Sequence, residues 1–256
     1  MKRWADYIDD WGFICKIQSD GSLEGGDTLA NEATFWLFSD ITVMPPRLAF
    51  CEVDPGVWVR HPYESGWTSD PEYTSGDQVR SMLTACIVKG ETIAPRRFCL
   101  AHSKRGFLFM GNVRRNGSTP KNHGEVYEYE NGQPVRRNYN WKPGDFTGPE
   151  FWALLIRATR NEKKKWLLNY LDYATYKTAQ YYQKKPPGDD IRNRLQVTIA
   201  STEVWPTKYS LKAKAMYSRE FFTDRMYRFW GDDLFEPPMD QHILKSEIFN
   251  RHFPLR

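Results

Sequence analysis

The sequence lacks the spacings that announce a metal or a disulfide framework. Its 4 cysteines, Cys15, Cys51, Cys86 and Cys99, contain no Cys-x-x-Cys pair and do not stand at zinc-ligand spacing from the 5 histidines. Four unpatterned thiols fit a reducing compartment, and Cys86 falls on an apolar helical face as a buried thiol. No metal or cofactor is expected. There is no phosphate loop, no Gly-x-Gly-x-x-Gly, no His-Glu-x-x-His and no Gly-x-Ser-x-Gly. Nucleotide-driven, dinucleotide, zinc-protease and α/β-hydrolase chemistries thereby lose their usual support. No apolar run approaches membrane-spanning length, so no membrane partner is expected. The start, Met1-Lys2-Arg3-Trp4, has no apolar signal region, and a cytoplasmic location, or a place in a virion, is the expectation.

An excess of one charge is also missing. The 36 basic and 32 acidic residues leave a net charge of +4, with short basic clusters at Arg114-Arg115, Arg136-Arg137, Lys163 to Lys165 and Lys184-Lys185. A protein of duplex nucleic acid gathers its charge on one face. Clusters scattered this way solvate a surface, and nucleic acid is not the expected partner. Single-stranded binding through aromatics and Arg/Lys would require the clusters to share a groove.

What the chain does have is aromatic side chains, 15% of its residues with 10 Trp among them, in a length of 256 that supports a substantial core. Helical spacing dominates. Asp27 is placed to cap a helix with Leu29, Ala33, Trp36 and Leu37 on one face, and Asp77 another with Val79, Met82, Leu83, Cys86 and Ile87, closed by Lys89 and Gly90. Pro95 suits the first turn of a third helix carrying Phe98, Ala101 and His102. Thr147 to Glu150 has capping-box form ahead of Phe151, Trp152, Leu155 and Ile156. The run from Asn161 to Lys185 predicts a long helix with Trp166, Leu167, Tyr170, Ala174 and Tyr181 on its inward side, stopping at Pro186-Pro187. Asp190 opens another, ending at Trp205-Pro206. Helices are also expected near 208–218, 219–230 and 240–250.

Two β-hairpins interrupt this pattern. Asp54-Pro55-Gly56 joins Phe50–Val53 to Val57–Arg60, and Asn131-Gly132 joins Glu125–Glu130 to Gln133–Asn140. Arg114 to Gly124 reads as a polar loop. No linker divides the chain, so one mainly helical domain of helical hairpins with two short β-hairpin insertions is expected over residues 1–256.

Gly-Asp occurs five times, at 26–27, 76–77, 144–145, 188–189 and 231–232, too unevenly for a solenoid. Asp20-Gly21-Ser22-Leu23-Glu24-Gly25 partly imitates a calcium loop, but Asn31 stands where the bidentate glutamate belongs and Asp27 where an apolar residue belongs. A tight turn is the better reading. The chemistry concentrates around the first two Gly-Asp steps. A carboxylate at a helix N-terminus is stabilised as the anion. Asp27 and Asp77 therefore suit a nucleophile, base or hydroxyl acceptor better than an acid, with plain capping as the alternative. Between them, His61 is an acid/base or hydroxyl partner and Arg60 an anion clamp. Trp58, Tyr63 and Trp67 form a stacking platform for a pyranose face, and Gln78 is a polar ligand contact. The alternative for that loop is a turn pinned by its aromatics.

The block Asp20-Gly21 … Gly26-Asp27-Thr28 … Phe35-Trp36, followed by Arg60-His61-Pro62 … Trp67 … Ser75-Gly76-Asp77-Gln78, resembles a group of uncharacterised phage and bacterial proteins with Asp-Gly-Gly-Asp and Ser-x-Asp-Gln blocks. In order and style it also resembles the (α/α) toroids of glycan hydrolases and lyases. The likeness covers about the first third of the chain, with Gly76 where arginine is expected. It implies an α/α toroid-like arrangement and a protein that acts on, or binds, a bacterial surface glycan. The competing expectation is a non-enzymatic virion or assembly protein whose aromatics bury against neighbouring subunits, itself or others.

Overall fold

The computed structural model of the chain describes residues 3–18, 20–66, 68–69, 74–103, 113–115, 125–130, 133–138, 148–184, 190–230 and 238–255. The chain is mainly helical, and one apolar core of its described residues runs from Phe13 near the start to Phe253 near the end.

The first half contains α1 (Thr28–Phe38), α2 (Pro46–Phe50), α3 (Gly76–Lys89) and α4 (Ile93–Ser103). The predicted face of α1 is buried in full. So is that of α3, which ends in a left-handed Gly90 as anticipated. The periodicity understated α3, however: every residue from Gln78 to Ile87 is buried. Its second face is polar and is matched to α7 (Asp190–Glu203). Ser81 donates to Asn193 Oδ1 at 3.2 Å and Thr84 to Gln196 Oε1 at 3.2 Å, while Gln196 Nε2 donates to Thr34 of α1 at 2.6 Å. A buried hydroxyl or amide is tolerated only with such partners. α3 is thus the axial helix, packed on α1, α5 and α7.

In the second half, α5 (Pro149–Ala158) starts behind Gly148. The expected capping-box role of Glu150 is not the observed one. Its carboxylate points inward, accepting from Arg194 Nη1 at 2.7 Å with Arg80 Nε at 3.7 Å; Thr147 lies outside the described residues. The next run is a 3-10 segment, Glu162–Leu167, leading into α6 (Leu168–Lys184). Here the inward side is not the one expected. Leu168, Asp172, Thr175, Thr178 and Ala179 are buried, whereas Trp166, Tyr170 and Tyr181 are exposed. The side is decided by a buried ion pair: Arg157 of α5 meets Asp172 through Nη1 and Nη2, at 2.8 and 2.7 Å. α8 (Lys208–Ala215) packs on α6, and α9 (Arg219–Trp230) follows. The helix expected over 240–250 is two, α10 (Pro238–Lys245) and α11 (Glu247–His252), because Ser246 caps the second by accepting from Phe249 N–H.

Both predicted hairpins are present. β3 (Glu52–Asp54) and β4 (Val57–Trp58) are joined by Pro55-Gly56, although Phe50 belongs to α2 rather than to the strand. Gly56 has φ +82°, and a Cβ there would lie 2.2 Å from the Arg97 carbonyl oxygen, so the turn and its seat against α4 both require glycine. β6 (Glu125–Glu130) and β7 (Gln133–Asn138) pair antiparallel. β5 (Val113–Arg115) runs parallel to β6, so the start of the expected polar loop is a strand. A hairpin that was not expected as such joins β1 (Lys16–Ile17) to β2 (Leu23–Glu24). Its turn is held by Asp20, whose Oδ1 accepts from Ser22 N–H and Oγ–H. The Gly-Asp steps at 144–145, 188–189 and 231–232 lie outside the described residues. Among the described residues, no helix is long and apolar enough to cross a membrane.

Candidate functional site

The N-terminus of α1 does not use Asp27 as its cap. Asp27 occupies the cap position, but its side chain accepts no backbone N–H of the first turn. Those donors go elsewhere. Leu29 N–H donates to the Arg60 carbonyl at 3.0 Å, and Ala30 N–H to Gln78 Oε1 of α3 at 2.8 Å. The same Gln78 amide turns its Nε2 to Asp27 Oδ1 at 3.0 Å. Arg60 Nη1 donates to Gly26 O at 2.5 Å and stands 4.0 Å from Asp27 Oδ1. The Asp27 carboxylate is therefore freed from capping, held from one side and left 44% exposed.

Asp77 comes to the same place. It lies in the first turn of α3, one residue inside the helix, and accepts from Ser75 Oγ–H; the cap position is Ser75, not Asp77 as expected. Burial, and next the charge of Asp77, push the Asp27 carboxyl above its ordinary value, against Lys16 and Arg60. The helix dipole favours the anion, and burial with Asp77 opposes it. Burial lowers the Arg60 guanidinium, and Asp77, Asp27 and Glu24 oppose that. Asp27, Asp77 and Gln78 at the entrances of α1 and α3, with Arg60 from the chain that leaves the β3–β4 hairpin, thus form one polar cluster.

His61 is adjacent but not available. Its side chain is wholly buried. Nδ1 accepts from the backbone N–H groups of Tyr63 at 3.2 Å and Glu64 at 3.0 Å. With two donors aimed at Nδ1, the ring proton sits on Nε2, which donates to Asp9 Oδ2 at 2.7 Å. The other Asp9 oxygen accepts from Trp11 N–H and Phe13 N–H. His61 is thereby a locked strut and not the acid/base expected.

Asp9, Cys15 and His61 offer ligand atoms within 4.8 Å of one another. A metal on Nε2 would need the ring proton on Nδ1, where two backbone N–H groups already point. The Cys15 thiol, pushed up to about 12 chiefly by burial, donates to Asp9 Oδ2 at 3.7 Å. The donor set does not fit a cation.

The stacking platform is also different from the one expected. Trp58 is 1% exposed and belongs to the core, so no ligand reaches it. Trp67 lies outside the described residues. Tyr63 is exposed, in company that sequence reasoning missed: Trp11 and Phe50, each with ring centroid 6.4 Å from Tyr63 and each more than half exposed. Between this aromatic group and the Asp27 cluster stands Glu64, whose Oε1 accepts Gly25 N–H at 2.8 Å. A Cβ on Gly25 would come 2.7 Å from His61 Cδ2, so the Gly25-Gly26 step permits this close approach. Asp9, Trp11, Phe50 and Glu64 carried no motif. Only the short spacing Asp9-x-Trp11-Gly12-Phe13 offered a signal.

No family model, curated protein or solved structure matches the chain.

Proposed function

We propose that the protein is carbohydrate-active and acts on or binds a bacterial surface glycan at the entrances of α1 and α3. The observation that carries the reading is the Asp27 carboxylate. It stands at a helix N-terminus, is relieved of capping by Gln78 and the Arg60 carbonyl, is partly open to solvent, and is raised by burial and by Asp77. Glycoside hydrolysis uses two carboxyl groups, one of them kept protonated by its surroundings. In this proposal Asp27 is the acid and Asp77 its partner carboxylate. Arg60 and Gln78 hold Asp27 in place, and Tyr63 with Trp11 offers the face for a sugar ring. The likeness of the first third to toroid glycan enzymes is part of the proposal and rests on the Gly-Asp and Arg-His blocks alone.

The test is a glycan array together with a reducing-end release assay on wild type, Asp27→Asn and Asp77→Asn. Release that Asp27→Asn abolishes while binding persists supports hydrolysis. Binding without release in wild type makes the protein a lectin-like module. Neither binding nor release removes the glycan reading and moves the weight to a structural role in a phage particle.

A further inference from the structure

The outward side of α6 exposes a stripe of aromatic rings. Tyr170, Tyr173 and Tyr181 fall at helical spacing on α6 with Lys177 between the last two, about 16 Å along the axis at ~1.5 Å per residue, and Trp166 stands just ahead of them in the 3-10 segment. Trp166 is 74% and Tyr170 76% exposed, and neither ring has a ring or cation partner among the described residues. Monomeric surfaces carry single exposed aromatics routinely, but not a ladder of them.

The surroundings are cationic. Lys163, Lys164 and Lys165 flank the stripe at its start and Lys184 at its end, all exposed. α8 brings a second row alongside. Tyr209 meets Tyr173 at 5.2 Å between centroids, with Lys212 over the Tyr209 ring at 5.8 Å and Lys177 over Tyr173 at 5.4 Å. The carboxylates within 162–184 and 208–215 are Glu162 and Asp172, and Asp172 is buried against Arg157. Basic residues that are scattered along the chain are therefore gathered beside rings that lie open.

We propose that this α6–α8 face binds single-stranded nucleic acid, Trp166 and Tyr170 stacking on bases and its lysines meeting phosphates. Every base has a π-face and every nucleotide a phosphate, so a ladder of rings edged by lysines matches a single strand at both levels. A duplex hides its bases, and an acidic peptide supplies no succession of planar groups. The inference is independent of the glycan reading, since it uses a different surface.

The experiment is fluorescence anisotropy of a labelled oligothymidylate titrated with the full chain, beside a duplex and a heparin fragment of matched charge. Saturable binding that prefers the single strand is expected. The variant Trp166→Ala/Tyr170→Ala should weaken it by about ten-fold or more, because each stacked base contributes a substantial share of the affinity. Lys177→Gln/Lys212→Gln should flatten the dependence of log affinity on log salt by about 1.4, at ~0.7 per phosphate contact. These side chains are exposed, so unchanged circular dichroism and urea midpoint check that the variants fold. No binding at low salt, equal affinity for heparin, or indifference to the loss of the two rings would each overturn the proposal. So would sedimentation showing that the stripe is buried between two copies of this chain.

Discussion

Gln78 bridges the Asp27 carboxylate and the Ala30 N–H, so one amide from α3 does for α1 what its own cap residue would ordinarily do. Substituting an aspartate that caps costs roughly 0.5–2 kcal/mol. Asp27→Ala is expected to cost less than that, or to stabilise, because it removes a desolvated carboxylate beside Asp77. Gln78→Leu is expected to cost about 1–3 kcal/mol, since Ala30 N–H then has no acceptor. Urea unfolding of the two variants checks the contrast. If Asp27→Ala were the more costly, the carboxylate would be a cap after all.

The thiols should be unreactive in the folded protein. Burial pushes Cys15 up to about 12 and Cys99 to about 11, and raises Cys51 and Cys86 well above the ordinary thiol value. The thiolate is the nucleophile, so a disulfide reagent at neutral pH is expected to modify all four only after denaturation. Rapid labelling of Cys15 in the native state would instead show an activated cysteine beside His61.

Two buried glutamates should give opposite pH signatures. Burial alone would raise Glu150, but Arg194 and then Arg80 overcome it and hold the carboxyl below its ordinary 4.5. Its stabilisation is present above 4.5 and is lost as pH falls through the lower folded value. Glu150→Gln takes the carboxylate from the buried Arg194 guanidinium, and a loss of about 3–5 kcal/mol is expected at neutral pH, shrinking in acid. Glu32 is raised by burial, in spite of the Ile14 N–H bond and Arg47. Its contribution is full below 4.5 and is lost as pH rises through the higher folded value. Relative to wild type, Glu32→Gln is therefore expected to gain as pH rises from acid to neutral. Parallel urea series across pH distinguish the two.

Asp172→Ala should cost about 3–5 kcal/mol by stranding Arg157, which is fully buried and also donates to the carbonyls of Val204 and Trp205. Trp205 sits at φ +49°, a conformation that a non-glycine residue adopts only when its surroundings impose it. A double-mutant cycle between Arg157 and Asp172 should give a large coupling. If the two substitutions are additive, the pair does not fix the seat of α6 as inferred from its geometry.

The helices of the first half were legible because apolar residues at 3.6-residue spacing have one way to leave water together, and Gly90 and Pro55-Gly56 mark places where backbone geometry admits few residues. Asp27, Asp77, Arg60 and Gln78 were also legible as candidates, since each sits at a helix entrance or beside a turn. The buried contacts beside them were not. Asp9 and Glu64 reach His61 and Gly25 by chain reversal, and such contacts leave no local period in a sequence.

What the sequence by itself determined is the mainly helical character, most of the longer elements and the first faces of α1 and α3, because local backbone preference and apolar spacing are properties of neighbouring residues. What the tertiary structure decided is the use of the polar side chains. Arg157 drew Asp172 inward and so turned the tyrosines of α6 outward, while Gln78 took over a cap and left Asp27 free. His61, read as a reactive imidazole, became a strut. In each case the deciding factor is a buried donor or acceptor that must find a partner distant in sequence, and that requirement operates only once the chain has folded back on itself.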